Sequence, residues 1–301
     1  MHVTVNGLKL YFDVEGAGLV PDGDRMRERP TLILLHGGPG ADHSLYKPGY
    51  STLSDIAQVV YLDHLANGRS ESGPVESWNL AQWADDLHGF CNALGIEKPI
   101  VLGTSFGGFV AQAFATRYPD ALGKLILIST AAKFDFQKVF KAFDRIGGAD
   151  ALQAAENYWL NPTTETRTAY ATTCLPLYTV GGMAPEWLAR TIRRDDVAIH
   201  FNGPHNEQGR MDFREPLANV TCPTLVMAGE RDPITPIAFS EQIVACLTNA
   251  SVQFERFPAS GHGIVGDETD RAMRVLRTFI ESGSQEIPRK FPHAPSLEKH
   301  G

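Results

Sequence analysis

Short, nearly uninterrupted apolar runs punctuate the chain, and amphipathic stretches fill the spaces between them. TLILLH at Thr31–His36, QVVYLD at Gln58–Asp63, PIVLG at Pro99–Gly103 and KLILIS at Lys124–Ser129 are four such runs. A continuous run of this kind suits a strand buried on both faces of a parallel sheet. Between them, Leu80, Trp83, Ala84, Leu87, Cys91 and Leu94 recur at three- and four-residue steps. That spacing predicts a helix over Leu80–Leu94 with one buried face, closed by Gly95. A second helix is predicted from Phe106 through Val110, Phe114 and Tyr118. Strands alternating with helices imply βαβ units and a parallel sheet. Ahead of them, strands around Val3–Val5 and Leu8–Val14 alternate about an Asn6-Gly7 hairpin turn. Gly16–Pro30 is polar and rich in Gly and Pro, and reads as a surface loop.

The rhythm breaks at Ala131. Residues 131–219 hold no comparable strand run and read as helices separated by Gly147-Gly148, Pro162, Pro176, Gly181-Gly182 and Pro185. It returns with a strand at Thr224–Ala228, a helix near Ile237–Cys246, a strand at Val252–Phe257 and an amphipathic helix from about Asp267 to Ser282. The expected organisation is one sheet domain, 1–130 and 221–282, interrupted by a helical cap at 131–220. Residues 283–301, with Pro288, Pro292 and Pro295, read as an extended tail.

Composition narrows the function. A chain of 301 residues fits one large domain with an insertion, and 43% hydrophobic residues supply an ordinary core. Acids outnumber Lys plus Arg by 35 to 27, for a net charge of -8. That sign argues against a nucleic-acid groove or an anionic membrane surface as partner. No apolar run approaches the ~18 residues of a membrane span, and the N-terminus lacks a signal peptide's basic stretch and long apolar core. Cys91, Cys174, Cys222 and Cys246 lie far apart and read as free thiols, as expected of a cytoplasmic protein. The expected partner is a small-molecule substrate; a homo-oligomer is compatible with the sequence. His200 and His205 lack metal-site spacing and co-ligands, so neither metal nor cofactor is expected.

The run ending at Gly103 leads into Gly103-Thr104-Ser105-Phe106-Gly107, a serine between two glycines at a strand-to-helix junction. Small flanking residues let such a turn hold its central side chain in a strained, outward position, as a nucleophile elbow does. The plainer reading is that Ser105 caps the helix beginning near Phe106. A serine hydroxyl needs a base, and the base needs an orienting group. Strand Thr224–Ala228 leads into Gly229-Glu230-Arg231-Asp232-Pro233, and strand Val252–Phe257 into Ser260-Gly261-His262-Gly263. Functional groups of parallel sheets gather beyond the strands' carboxyl ends, and Ser105, Asp232 and His262 all fall there. Asp232 can instead simply start a turn, and Glu230 is a rival acid. The amide of Phe106 is one candidate oxyanion donor. The loop Gly37-Gly38-Pro39-Gly40 supplies a second, taken as Gly38 because Pro39 has no N–H. His36 reads as a structural histidine holding that loop.

HGGPG at 36–40, GTSFGG at 103–108, GERDPITP at 229–236 and SGHG at 260–263 together resemble the α/β-hydrolase superfamily. HGGPG in particular resembles the prolyl iminopeptidase-like branch of serine peptidases and related esterases. The resemblance implies a mostly parallel central sheet flanked by helices with a helical cap inserted. It also implies a catalytic triad of Ser105, Asp232 and His262, and oxyanion amides from Gly38 and Phe106. Two features depart from that branch. Its usual elbow, G-G-S-W-G, has Trp where Phe106 stands, and its aspartate-glutamine-arginine-glycine loop is here Asp63-His64-Leu65-Ala66. The cap, placed over the site by the resemblance, should choose the substrate. An iminopeptidase needs carboxylates there to meet an ammonium; Glu156, Glu165, Glu186, Asp195, Asp196 and Glu207 are the candidates. Trp159 and Trp187 are candidate substrate-binding aromatics, or else part of the cap's own core. The expected activity is serine-dependent hydrolysis of a small carboxylic ester or lactone. A proline iminopeptidase-type aminopeptidase or amidase is the alternative. A C–C bond hydrolase and a non-catalytic binding protein of this fold come behind it.

Overall fold

A computed structural model describes residues 1–183 and 185–282, so the expected tail at 283–301 lies outside it. Its strands are β1 His2–Val5, β2 Leu8–Glu15, β3 Leu19–Asp22, β4 Arg25–Glu28, β5 Thr31–Leu35, β6 Gln58–Leu62, β7 Ile100–Thr104, β8 Lys124–Ile128, β9 Thr224–Gly229 and β10 Val252–Phe257. One 8-stranded sheet has the order β1-β2-β6-β5-β7-β8-β9-β10. It is antiparallel where β2 meets β1 and β6, and parallel from β6 to β10. The continuous apolar runs have the cause expected of them. Leu32 to Leu35 are wholly buried, and successive side chains point to opposite faces. Ile33 and Leu35 therefore join one core layer, and Leu32 and Leu34 the other.

Helices cover both faces: α1 Leu80–Leu94, α2 Phe106–Arg117, α3 Phe136–Leu160, α4 Thr164–Thr173, α5 Pro185–Arg190, α6 Asp195–Phe201, α7 Glu207–Arg210, α8 Ile237–Cys246, α9 Ile264–Asp267 and α10 Thr269–Glu281. Trp83, Leu87 and Phe90 of α1 pack with Val110 and Phe114 of α2 on one face of the sheet, while Leu276 and Ile280 of α10 cover the other. Asn79 caps α1 through the amide of Gln82, and Gly95 ends it at φ 64°. Asn6 and Gly7 both have positive φ, 51° and 83°, as a two-residue hairpin turn requires. Between β8 and β9 the chain is helical, from α3 to α7, with α3 bent at Gly148. Among the described residues, no helix is long and apolar enough to cross a membrane.

One expectation fails. Gly16–Pro30 is not a loop: β3 and β4 pair antiparallel from Leu19↔Glu28 to Asp22↔Arg25, turning at Gly23 and Asp24. All four residues of β4 are exposed, so this ribbon needs no apolar alternation. The helix expected from about Asp267 to Ser282 is α10, Thr269–Glu281, and Glu268 (φ -129°, ψ 54°) separates it from the short α9 before it. The Glu268 carboxylate accepts from the amide of Ala259 and the hydroxyl of Ser260, and that of Asp267 accepts from the amide of Gly261. Both acids are turned back onto the loop after β10.

Candidate active site

Ser105 sits at the junction of β7 and α2 with φ 56° and ψ -118°, a conformation that costs a non-glycine residue strain. The turn is held from both sides. The Ser105 amide donates to the Ile128 carbonyl at 3.0 Å, and the Thr130 hydroxyl donates to the Ser105 carbonyl at 2.8 Å. Only glycine fits at 107, where a Cβ would lie 1.8 Å from the Leu35 carbonyl oxygen. The Ser105 hydroxyl makes no capping bond to α2, so the plain helix-cap reading fails. Phe106 opens the helix, where first-turn amides have no intrahelical acceptor. Its ring is wholly buried, edge-on to His64, Trp83 and Phe201.

Asp232 and His262 meet beyond β9 and β10. His262 Nδ1–H donates to Asp232 Oδ2 at 2.8 Å, leaving Nε2 as the basic nitrogen. Asp232 is 1% exposed and fully engaged. Its Oδ1 accepts from the amides of Ile234 and Thr235 at 2.7 and 2.9 Å, and its Oδ2 also from the Thr235 hydroxyl at 2.6 Å. Burial pushes the carboxyl upward in pKa, but His262 and Thr235 outweigh it and hold Asp232 below the usual carboxylate value. Glu230, the rival acid, is exposed. Asp232 thus both shapes its turn and holds the histidine.

The loop after β5 lies against the serine: a Cβ on Gly37 would stand 3.5 Å from Ser105 Cβ. Gly38 follows at φ 133°. His36 is buried; its Nδ1–H donates to the Gly37 carbonyl at 2.8 Å, and its Nε2 accepts from the His64 amide at 3.3 Å. Burial keeps it neutral, lowering its pKa. It braces the loop, as expected. Gly40 donates to Asn67 Oδ1 at 2.7 Å and accepts from the Arg194 amide at 2.9 Å. Behind the loop, Asp42, His43 and Asp63 present potential metal-ligand atoms within 4.8 Å of one another. Arg69 supplies the cation among them, 2.5 Å from Asp42 and 3.8 Å from Asp63, while His43 Nδ1 donates to Asp63 at 2.7 Å. Arg69 and the hydrogen bond from His43 already engage both carboxylates of this cluster.

The helical segment touches both loops. Beside the Arg194 contact at Gly40, the Tyr178 carbonyl accepts from the amides of His262 and Gly263 at 2.6 and 3.3 Å. Trp159 is 5% exposed and packs among Phe134, Tyr158 and Tyr170. Trp187 is half-buried and lies against Gly266 instead, so the two tryptophans do not share a wall. Two cavities, of about 580 and 490 Å³, open elsewhere: one beside Trp78 and Glu207, one beside Phe134 and Lys138. Neither is lined by Ser105, Asp232 or His262. The sequence reading overlooked the parts played by Thr235, Asn67 and Thr130, and offered Tyr178 only as an aromatic that could line an acyl pocket, not for its backbone carbonyl. Thr235 was findable, because a threonine three residues past an aspartate is a common turn partner; the other three act across distant segments.

Comparison with known proteins agrees with this architecture. A family model described as the alpha/beta hydrolase fold matches residues 30–269. A proline iminopeptidase of Lactiplantibacillus plantarum is 29% identical over 293 residues, covering 91% of this chain and 98% of that protein. RutD of Caulobacter sp. (strain K31), provisionally named a carbamate hydrolase, is 27% identical over 294 residues, covering 92% and 97%. An esterase from Exiguobacterium antarcticum superposes with a TM-score of 0.68 at 19% identity, covering 93% of this chain and 99% of its own, a likeness of fold alone. The chain belongs to the α/β-hydrolase family and is a hydrolytic enzyme akin to the prolyl iminopeptidase branch.

Proposed function

We propose that the protein is a serine hydrolase acting on small carboxylic esters or lactones. The observation that carries the reading is the buried His262–Asp232 pair, 2.8 Å apart, beyond the carboxyl ends of β9 and β10 in the same sheet whose β7 leads into the strained Ser105 turn. Ser105 Oγ attacks the substrate carbonyl while His262 Nε2 takes its proton. Asp232 holds the imidazole with Nδ1 protonated and stabilises the imidazolium. The amides of Phe106 and Gly38 donate to the oxyanion. His262 then returns the proton to the leaving alcohol oxygen, and the carbonyl re-forms as an acyl-enzyme. Water, deprotonated by Nε2, releases the acid and restores Ser105. In this reading residues 131–220 form a cap over a core made of 1–130 and 221–282. The four free thiols fit a reducing, cytoplasmic setting.

The state of the cap's carboxylates ranks esters ahead of N-terminal peptides. Glu165, Glu186, Asp195 and Asp196 are exposed, and Asp195 and Asp196 pair with Arg167 and Arg194. Half-buried Glu207 is 3.6 Å from Arg210 and accepts from the Leu80 amide. None is a buried, unpaired anion awaiting an ammonium; Glu156 is half-buried. The aminopeptidase alternative draws on the relative named proline iminopeptidase. Turnover of p-nitrophenyl butyrate against prolyl p-nitroanilide decides between them. Faster butyrate hydrolysis is expected, and faster anilide hydrolysis reverses the order.

A further inference from the structure

One buried side chain ties the loop after β5 to the protein core. Asn67 is 0% exposed and stands between two left-handed residues, Ala66 at φ 63° and Gly68 at φ 53°. Its Oδ1 accepts from the Gly40 amide at 2.7 Å, and its Nδ2 donates to the Leu65 carbonyl at 2.8 Å. That carbonyl also accepts from the indole N–H of Trp83 at 3.0 Å, which anchors it to α1. One backbone partner is a donor and the other an acceptor, so a side-chain amide satisfies both in a single orientation. Leucine, of similar volume, offers neither group, and an ionised aspartate would set an oxygen against the Leu65 carbonyl. Gly40 is buried, and a buried N–H stripped of its acceptor is costly.

The bond bears on the serine because the loop is folded tightly. A Cβ on Gly38 would lie 3.1 Å from the Gly40 nitrogen, and one on Gly37 would lie 3.5 Å from Ser105 Cβ. Gly40 thus backs onto Gly38, and Gly37 abuts the serine. We infer that Asn67 is a positioning residue for hydrolysis, setting through the Gly40 amide where the Gly38 N–H stands relative to Ser105. This rests on the serine-hydrolase reading for the role of Gly38. An oxyanion donor matters most once charge has moved onto the carbonyl oxygen, so Asn67 acts on the transition state and little on substrate binding.

The test measures kcat and KM for p-nitrophenyl butyrate in Asn67→Leu and in Asn67→Asp, which keeps an acceptor for the Gly40 amide. In Asn67→Leu, kcat is expected to fall about 10- to 100-fold with KM nearly unchanged, as for a misplaced oxyanion donor. Asn67→Asp is expected to recover most of that loss, even where its buried charge makes it the less stable of the two. Propyl trifluoromethyl ketone supplies a second readout. Ser105 Oγ adds to its carbonyl carbon, the serine proton passes to His262 Nε2, and the carbonyl oxygen becomes the oxyanion. Its inhibition should weaken in Asn67→Leu by about the factor lost from kcat/KM. If Asn67→Leu does not fold, Asn67→Ala is read by the same criteria. A near-native kcat, a loss carried by KM, or no recovery in Asn67→Asp overturns the inference. A native protein that neither turns over the ester nor binds the ketone strikes the hydrolase reading instead. The clamp is then judged by nuclear magnetic resonance of the folded variant. Displaced Gly38 and Gly40 amide resonances support it, and unmoved ones contradict it.

Discussion

The loops at the strand ends and the helical segment between β8 and β9 are held in different ways. In the loops, hydrogen bonds commit the groups around Asp232 and Ser105: Asp232 takes four, and the Ser105 backbone is tied to Ile128 and Thr130. Around Trp159 in the helical segment, contacts are mostly ring on ring, and the buried indole N–H has no partner among the described residues. Reacting groups need fixed geometry before substrate arrives, so their partners are internal. A packed aromatic cluster answers to shape and burial instead.

The largest expected effect comes from breaking the committed side. Asp232→Asn should keep the turn but lose the charge and tautomer control at His262, lowering kcat/KM for p-nitrophenyl butyrate by roughly 10⁴-fold. Near-native activity would reassign the orienting acid. The same variant has a pH signature. Asp232 is held below its ordinary pKa of 3.8 in the folded protein. Its contribution to stability is therefore full above that value and lost as pH falls through the lower folded value. Urea unfolding should show the native protein losing its advantage over Asp232→Asn on acidification; an advantage that grows in acid would contradict the assignment.

The second effect tests the join between the two regions. Gly40 has φ 77°, and a Cβ there would lie 2.1 Å from the Arg194 carbonyl oxygen. Gly40→Ala should cost about 3 kcal/mol of stability from backbone strain and overpacking together. It should also lower kcat through the displaced oxyanion loop. Unchanged stability would mean that α6 is not docked there.

How far these regions were legible in the sequence follows the same division. The strands of the sheet were readable because burial on both faces writes itself as the continuous apolar runs TLILLH and KLILIS. The ribbon of β3 and β4 escaped because none of its residues is fully buried, although Gly23-Asp24 is a two-residue hairpin signal in its own right. Ser105, Asp232 and His262 stood out because each follows a strand end. Asn67 and the backbone carbonyl of Tyr178 did not, because the Gly40 amide and the His262 loop reach them only through folding. Leu65-Ala66, the departure from the family pattern, has a partial explanation. Ala66 adopts φ 63°, a conformation that glycine takes at less cost. Ala66→Gly gives the smallest effect expected here, a gain of up to ~1 kcal/mol in urea unfolding, since the added chain entropy offsets part of the relieved strain. A loss of stability would show that the Ala66 methyl group is needed for packing.

The proposed chemistry turns on Ser105 as a nucleophile activated by His262 and Asp232. Covalent labelling by a fluorophosphonate tests it most directly. Stoichiometric labelling of the native protein on Ser105 is expected, absent in Ser105→Ala and slowed in Asp232→Asn. A folded native protein that takes no label, or a label that persists in Ser105→Ala, would contradict it.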